Sequence, residues 1–122
     1  MILVDTSVWI DHLRAGQPRL VELLEHSMVL GHPWVTGELA MGHLNRRNEV
    51  LGLLANLPQA NVATRAEVLT LVDRHELHGA GIGYVDAQLL AATLLTEDGT
   101  LWTTDKRLAA VATRLKRASQ PT

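Results

Sequence analysis

Apolar residues recur along this chain in two rhythms. Short unbroken runs, Ile2–Val4 and Met28–Leu30, have the pattern of strands buried on both faces. Longer stretches place apolar residues three and four apart, as a helix with one buried side requires. Ser7–Arg14 is such a stretch, with Thr6 or Ser7 placed to cap it, and Arg19–His26 follows the turn Gly16-Gln17-Pro18. Pro33 suits the first turn of a helix carrying Glu38 and running to about Leu44, and Asn45–Leu57 reads as a further helix stopped by Pro58. Asn61–Ala63 is a candidate third strand, and Thr64 then caps an amphipathic helix to His78. After Gly79-Ala-Gly-Ile-Gly83, the segment Tyr84–Thr96 is apolar almost all round, which predicts a central helix. Thr100–Thr103 is the fourth strand candidate, Lys106–Arg117 the last helix, and residues 118–122 are expected to form a frayed tail.

Short apolar strands alternating with helices predict one α/β domain over residues 1–122, built on a parallel sheet. Composition agrees: 122 residues with 47% apolar content suffice for a single core. With no phenylalanine and one tyrosine, that core must be filled by Leu, Val, Ala and the three tryptophans. The absence of cysteine excludes disulfides and thiolate metal sites and fits a reducing compartment. No apolar run has the length of a membrane span, and Asp5 interrupts the N-terminal stretch a signal peptide would need, so a soluble, cytoplasmic protein is expected.

Charge changes the picture only through its distribution. The net charge is −2, yet from residue 106 onward there are five basic residues and no acid. With four of the 13 acids committed to a cation site, 11 basic residues face 9 acidic ones. A modest basic surface beside a metal site, open to a nucleic acid, is then one reading, and a merely solvated helix face is the other.

Two strand candidates end alike, in Val4-Asp5-Thr6 and in Thr103-Thr104-Asp105. Functional groups of open parallel sheets collect beyond the carboxyl ends of strands, so both aspartates could project from one edge. Asp86 opens the apolar helix behind the glycine loop, and Glu38 sits among Trp34, Val35, Leu39 and Met41. Carboxylates in apolar settings are costly unless paired or bound to a cation, and four together repel unless a metal offsets them. An oxygen-only donor set suits Mg2+ or Mn2+, which can activate water against a phosphodiester. Each acid also has a plainer use: Asp5 and Asp105 as helix caps, Asp86 at its helix dipole, Glu38 paired with an arginine.

The segments LVDTSVWIDHLR, WVTGELAMG, GIGYVDAQLLAA and WTTDKRL, in that order, resemble the PIN-domain family, and within it the VapC toxins of toxin–antitoxin pairs. The resemblance spans nearly the whole chain and implies a short parallel sheet of four or five strands with helices on both faces. It makes Asp5, Glu38, Asp86 and Asp105 the catalytic acids, with Asp5 and Asp86 the most direct metal ligands and Glu38 and Asp105 completing the cluster. Thr6 and Thr104 match hydroxyl positions that orient carboxylates or bind water. A Mg2+- or Mn2+-dependent endoribonuclease follows, cleaving tRNA or ribosomal RNA loops, with a cognate antitoxin as inhibitor and a homodimer as assembly. Arg14, Arg46, Arg47, Lys106 and Arg107 are the expected phosphate contacts.

Other signals carry less. His75 and His78 stand at i, i+3 with no third ligand, where the zinc-protease pattern needs i, i+4, so a solvent-facing pair is expected. His12, His26, His32 and His43 are expected at the surface or half-buried. The glycine loop lacks dinucleotide spacing and serves to turn the backbone toward Asp86. Trp102 and Trp34 are expected in core or dimer packing rather than on RNA bases. Aspartyl-phosphate chemistry would need a second acid that position 7, a serine, does not supply. The alternative from another class is a catalytically silent module binding RNA or an antitoxin-like partner, and loss of one of the four acids would be its mark.

Overall fold

Strand β1, Ile2–Val4, lies in the middle of the sheet, which is why it carries no polar residue. Leu3 and Val4 point to opposite faces and both are fully buried, so both faces of the sheet are covered. A computed structural model of the protein describes residues 1–119 and sets β2 (Val29–Leu30) and β3 (Thr100–Trp102) on either side, both parallel to β1. Leu3 registers with Leu30 on one side and Leu101 on the other, and Val4 with Trp102. Parallel neighbours need crossovers. Helices α1 (Thr6–Ala15) and α2 (Pro18–Glu25) join β1 to β2. Four more, α3 (Pro33–Ala40), α4 (Arg47–Asn56), α5 (Arg65–Arg74) and α6 (Tyr84–Leu95), lead to β3, and α7 (Lys106–Arg114) follows. The α/β architecture is as expected, and α6 is central: every residue from Ala87 to Thr93 is buried.

The strand count differs. Among the described residues there are three strands, and each sheet edge gains only a single bridging residue, Gln59 beside Gly31 and Ala118 beside Leu101. The expected strand Asn61–Ala63 is absent because pairing happens earlier: the Gly31 N–H donates to the Pro58 carbonyl and the Ala60 N–H to that of Gly31. Asn61 instead donates its side-chain amide to the Leu95 carbonyl at 2.7 Å, closing the C-terminal end of α6. Ala118 and Ser119 are not frayed, since the Ser119 N–H donates to the Leu101 carbonyl at 2.8 Å. The remainder of the expected tail lies outside the described residues.

Helix ends fall short of the sequence pattern for one recurring reason. After α2, α5 and α7 the residues Ser27, Glu76 and Lys116 take positive φ values of 55°, 52° and 60°. In each case the next N–H reaches back five residues, Met28 to Leu23, Leu77 to Val72 and Arg117 to Ala112. These are Schellman endings made without glycine. The helix expected to reach His78 therefore stops at Arg74, and His75 and His78 share no helix face. Thr64 does cap α5, in a reciprocal pair with Glu67. Helix α3 stops at Ala40 rather than Leu44, with Gly42 just beyond it, and Arg46 in left-handed conformation resets the chain for α4.

His32, expected at the surface or half-buried, is fully buried just after β2. Its Nδ1 accepts the Trp34 N–H at 3.1 Å and so caps α3. Burial pushes its pKa below the ordinary 6.5. The folded state thus keeps His32 neutral while the unfolded chain takes up a proton below that pH. Stability contributed here is present above pH 6.5 and is lost as pH falls toward the depressed folded value. Denaturant melts of the wild type and His32→Asn, which can still cap the helix, are expected to differ by a constant amount above about pH 7.5 and by a changing amount below it, with the wild type showing the steeper loss toward acid. No helix among the described residues is long and apolar enough to cross a membrane.

Candidate active site

Asp5 is tied to β3 by its own N–H, which donates to the Trp102 carbonyl at 2.9 Å. It occupies the N-cap position of α1, yet its side chain makes no cap bond. Instead Oδ2 accepts two hydroxyls, from Ser7 and Thr103, each at 2.7 Å. Those hydroxyl oxygens accept in turn from the N–H groups of Thr104 and Asp105, each at 3.1 Å. Asp5 is only 7% exposed, and Oδ2 is the oxygen the protein holds; Oδ1 receives no donor among the described residues. One oxygen is fixed and the other is free to face a ligand.

The other three acids are each anchored by a different device. Glu38, on the exposed side of α3, accepts the Thr6 hydroxyl on Oε1 at 2.6 Å. Asp86 sits in the first turn of α6 and accepts the Gly83 N–H at 3.1 Å; glycine has no side chain to reciprocate, so this is half a capping box. Asp105 caps α7, its Oδ1 accepting from the N–H groups of Arg107 and Leu108 at 2.9 and 3.0 Å. The plainer use expected of Asp105 is thus part of its structure, whereas that of Asp5 is not. Glu38 pairs with a hydroxyl, not an arginine.

The four carboxylates act on one another. Burial raises the Asp86 pKa above the ordinary 3.8, and the negative charges of Asp5, Asp105 and Glu38 raise it further, against the Gly83 hydrogen bond, which lowers it. Among the described residues the ion pairs are Arg19–Glu22 and Arg46–Glu49, and neither involves these acids. Nor do any three His, Cys, Asp or Glu side chains among them converge into a ready-made ligand cage. Oxygen-only donors on separate anchors, from buried Asp5 to exposed Glu38 and Asp105, fit a hydrated Mg2+ or Mn2+, which is held through one or two carboxylates and keeps waters. The donor set fits that ion and excludes a thiolate-preferring one.

The expected supporting residues divide. Thr6 orients an acid, but that acid is Glu38. Thr104 contributes its backbone N–H, and the hydroxyl expected of it comes from Thr103 and Ser7. Thr103 follows Trp102, the partner of Val4 in the register, so it lies opposite Asp5; only that register could have revealed it. Arg14 and Glu38 line the same hollow of about 520 Å³ between α1 and α3. Arg107 lies across Gly81, where φ is +82° and an added Cβ would stand 2.7 Å from the Arg107 Cδ. The missing Cβ lets the arginine side chain lie close against the loop leading to Asp86. Lys106 is exposed in the first turn of α7. Arg46 and Arg47 are engaged around α4, with Glu49 and with the Gly42 carbonyl, and the structure does not bring them to the acids.

Residues 2–114 match the sequence profile of the PIN domain. The chain belongs to the PIN-domain family. Over 110 residues this PIN domain is 56% identical to Ribonuclease VapC32 of Mycobacterium tuberculosis, in each of two strains, covering 90% of this chain and 89% of the relative. Among solved structures, FitAcB from Neisseria gonorrhoeae superposes with a TM-score of 0.64 over 93% of this chain and 94% of that one, at 21% identity. FitAB bound to an IR36 DNA fragment gives 0.64 over 93% and 91%, again at 21% identity. At that identity the likeness concerns the fold alone.

Proposed function

We propose that this PIN domain is a Mg2+- or Mn2+-dependent endoribonuclease, the toxin of a toxin–antitoxin pair, acting in the cytoplasm on phosphodiester bonds of structured RNA such as tRNA or rRNA loops. The observation that carries the reading is the gathering of Asp5, Glu38, Asp86 and Asp105, from four separate segments, in one electrostatic field with no basic partner among the described residues. The 56% identity to a ribonuclease supports the reaction class.

In that reading Asp5 offers Oδ1 while Ser7 and Thr103 fix its other oxygen, and Asp86 offers the oxygen that Gly83 does not hold. Glu38 and Asp105 complete the negative field, each held by a hydrogen bond that restricts its rotamers. The bound cation supplies a Lewis acid for the phosphate and acidifies the attacking water. Arg14 and Arg107 flank the acids and are placed to neutralise adjacent phosphates. The groove between α1 and α3, where Ile10 and Leu13 remain exposed and Glu38 marks one end, supports docking of an antitoxin segment. Leu69 and Leu95, exposed on α5 and α6, support the homodimer.

The test uses antitoxin-free protein and a mixed tRNA and rRNA substrate. Cleavage is expected to stop in chelator and to return with Mg2+ or Mn2+; undiminished cleavage in chelator contradicts the reading.

A further inference from the structure

Four aromatic residues serve the whole chain, and they divide evenly. Trp9 and Trp102 are buried. Trp34 and Tyr84 are 41% and 43% exposed, and their rings meet edge to face, 6.0 Å apart at 74°. Trp34 was expected in core or dimer packing, and it is not in the core. Each of the two belongs to a helix that carries one of the acids: Trp34 lies one turn before Glu38 on α3, and Tyr84 lies two residues before Asp86 on α6. Trp34 shares a helix face with Glu38 and stands about 6 Å along α3 from it, and Tyr84 meets Trp34 from α6. Between the two helices is a shallow hollow of about 440 Å³ lined by Pro33, Trp34, Gly37, Glu38, Met41 and Val85.

Gly37 makes this hollow informative. It sits inside α3, where glycine costs about 1 kcal/mol against alanine. A Cβ there would meet nothing within 4 Å, so no close packing within the chain requires glycine. Residue 37 is three after Trp34, close to it on the helix surface, so a long side chain there could reach over the indole where glycine cannot. Tyr84 is pinned as well, its hydroxyl hydrogen-bonded at 2.9 Å to the amide of the buried Gln88.

We propose that Trp34 and Tyr84, with the opening left by Gly37, form a nucleobase-stacking subsite that takes an unpaired base next to the phosphate held at the acids. This rests on the nuclease reading and sharpens it: the subsite selects single-stranded or looped RNA, because a base inside a duplex has no free face to offer. The edge-to-face geometry suits the task, since it blocks at most one face of one ring, whereas a stacked pair would block a face of each.

The test measures binding of a short single-stranded oligoribonucleotide carrying one 2-aminopurine, in the cleavage-deficient Asp5→Asn background, with a blunt duplex of the same sequence alongside. Stacking quenches the fluorophore. Trp34→Ala is expected to weaken single-strand binding about tenfold or more, and Trp34→Phe to restore most of it. Gly37→Leu is expected to weaken binding similarly while melting no lower than the parent, which separates blocking from misfolding. With Asp5 intact, both losses should appear in KM while kcat at saturation is largely kept. The subsite is overturned if Trp34→Ala and Gly37→Leu bind the single strand as the parent does. It is overturned equally if they convert a sedimenting dimer to monomer, since the face is then a contact between copies. Either result leaves RNA cleavage by the wild type standing; wild-type protein that neither binds nor cleaves RNA removes the nuclease reading and the subsite together.

Discussion

Asp5→Asn is expected to lower RNA cleavage on the order of 10³-fold without lowering the melting temperature. The side chain is buried, so a change of shape would be felt, but asparagine is isosteric and its carbonyl oxygen can still accept both the Ser7 and Thr103 hydroxyls. What is lost is the negative charge on the oxygen that faces outward. In the absence of a cation that loss also relieves repulsion, because Asp5 is one of the charges holding the Asp86 pKa up. Activity and stability should therefore move apart. A single-turnover cleavage assay and a thermal melt on the same preparation check both, and activity within tenfold of wild type would show that Asp5 is not a ligand.

The second large effect concerns residues that touch no ligand. Ser7→Ala combined with Thr103→Val removes both donors from Asp5 Oδ2 and leaves a buried carboxylate without them. Stability is expected to fall by about 1–3 kcal/mol. Cleavage is expected to fall by about 10- to 100-fold, the usual cost of removing the group that orients a metal ligand. The two hydroxyls share one acceptor oxygen and lie 3.3 Å from each other, so the single substitutions should not add. Thr104→Val, by contrast, is expected to be close to neutral, because position 104 supplies only its N–H. A mutant cycle read by denaturant unfolding and by cleavage distinguishes this arrangement from one in which Thr104 carries the hydroxyl.

Much of this was legible in the sequence because it rests on strong local signals. An apolar run ending on Asp5 read as a buried strand delivering an acid to the sheet edge, with a helix cap as the plainer use. The all-round apolar character of Ala87–Thr93 left no place for α6 but the centre. Where sequence failed, the information lay in pairing or in backbone conformation. The register that sets Thr103 opposite Asp5 follows from three parallel strands, and no residue type announces it. Ser27, Glu76 and Lys116 end helices in a conformation usually signalled by glycine, so the periodicity ran past the true ends. His32 was misplaced because a buried neutral histidine capping a helix looks, in sequence, like any other polar residue before a proline. Of the core or dimer packing expected of Trp34, the core half fails: bulk suggests burial, yet the ring is 41% exposed on the chain.

The central claim, that Asp5, Glu38, Asp86 and Asp105 together make a divalent-cation site, is tested most directly by thermal unfolding against Mg2+ concentration in the absence of RNA. A ligand that binds only the folded state stabilises it by about 2.7 kcal/mol at a hundred times its dissociation constant. The melting temperature of the wild type should rise steadily with Mg2+, from a starting point depressed by the repulsion on Asp86, and Asp86→Asn should start higher and respond little. Equal rises in wild type and Asp86→Asn, or no rise in a wild type that still cleaves RNA, would contradict it.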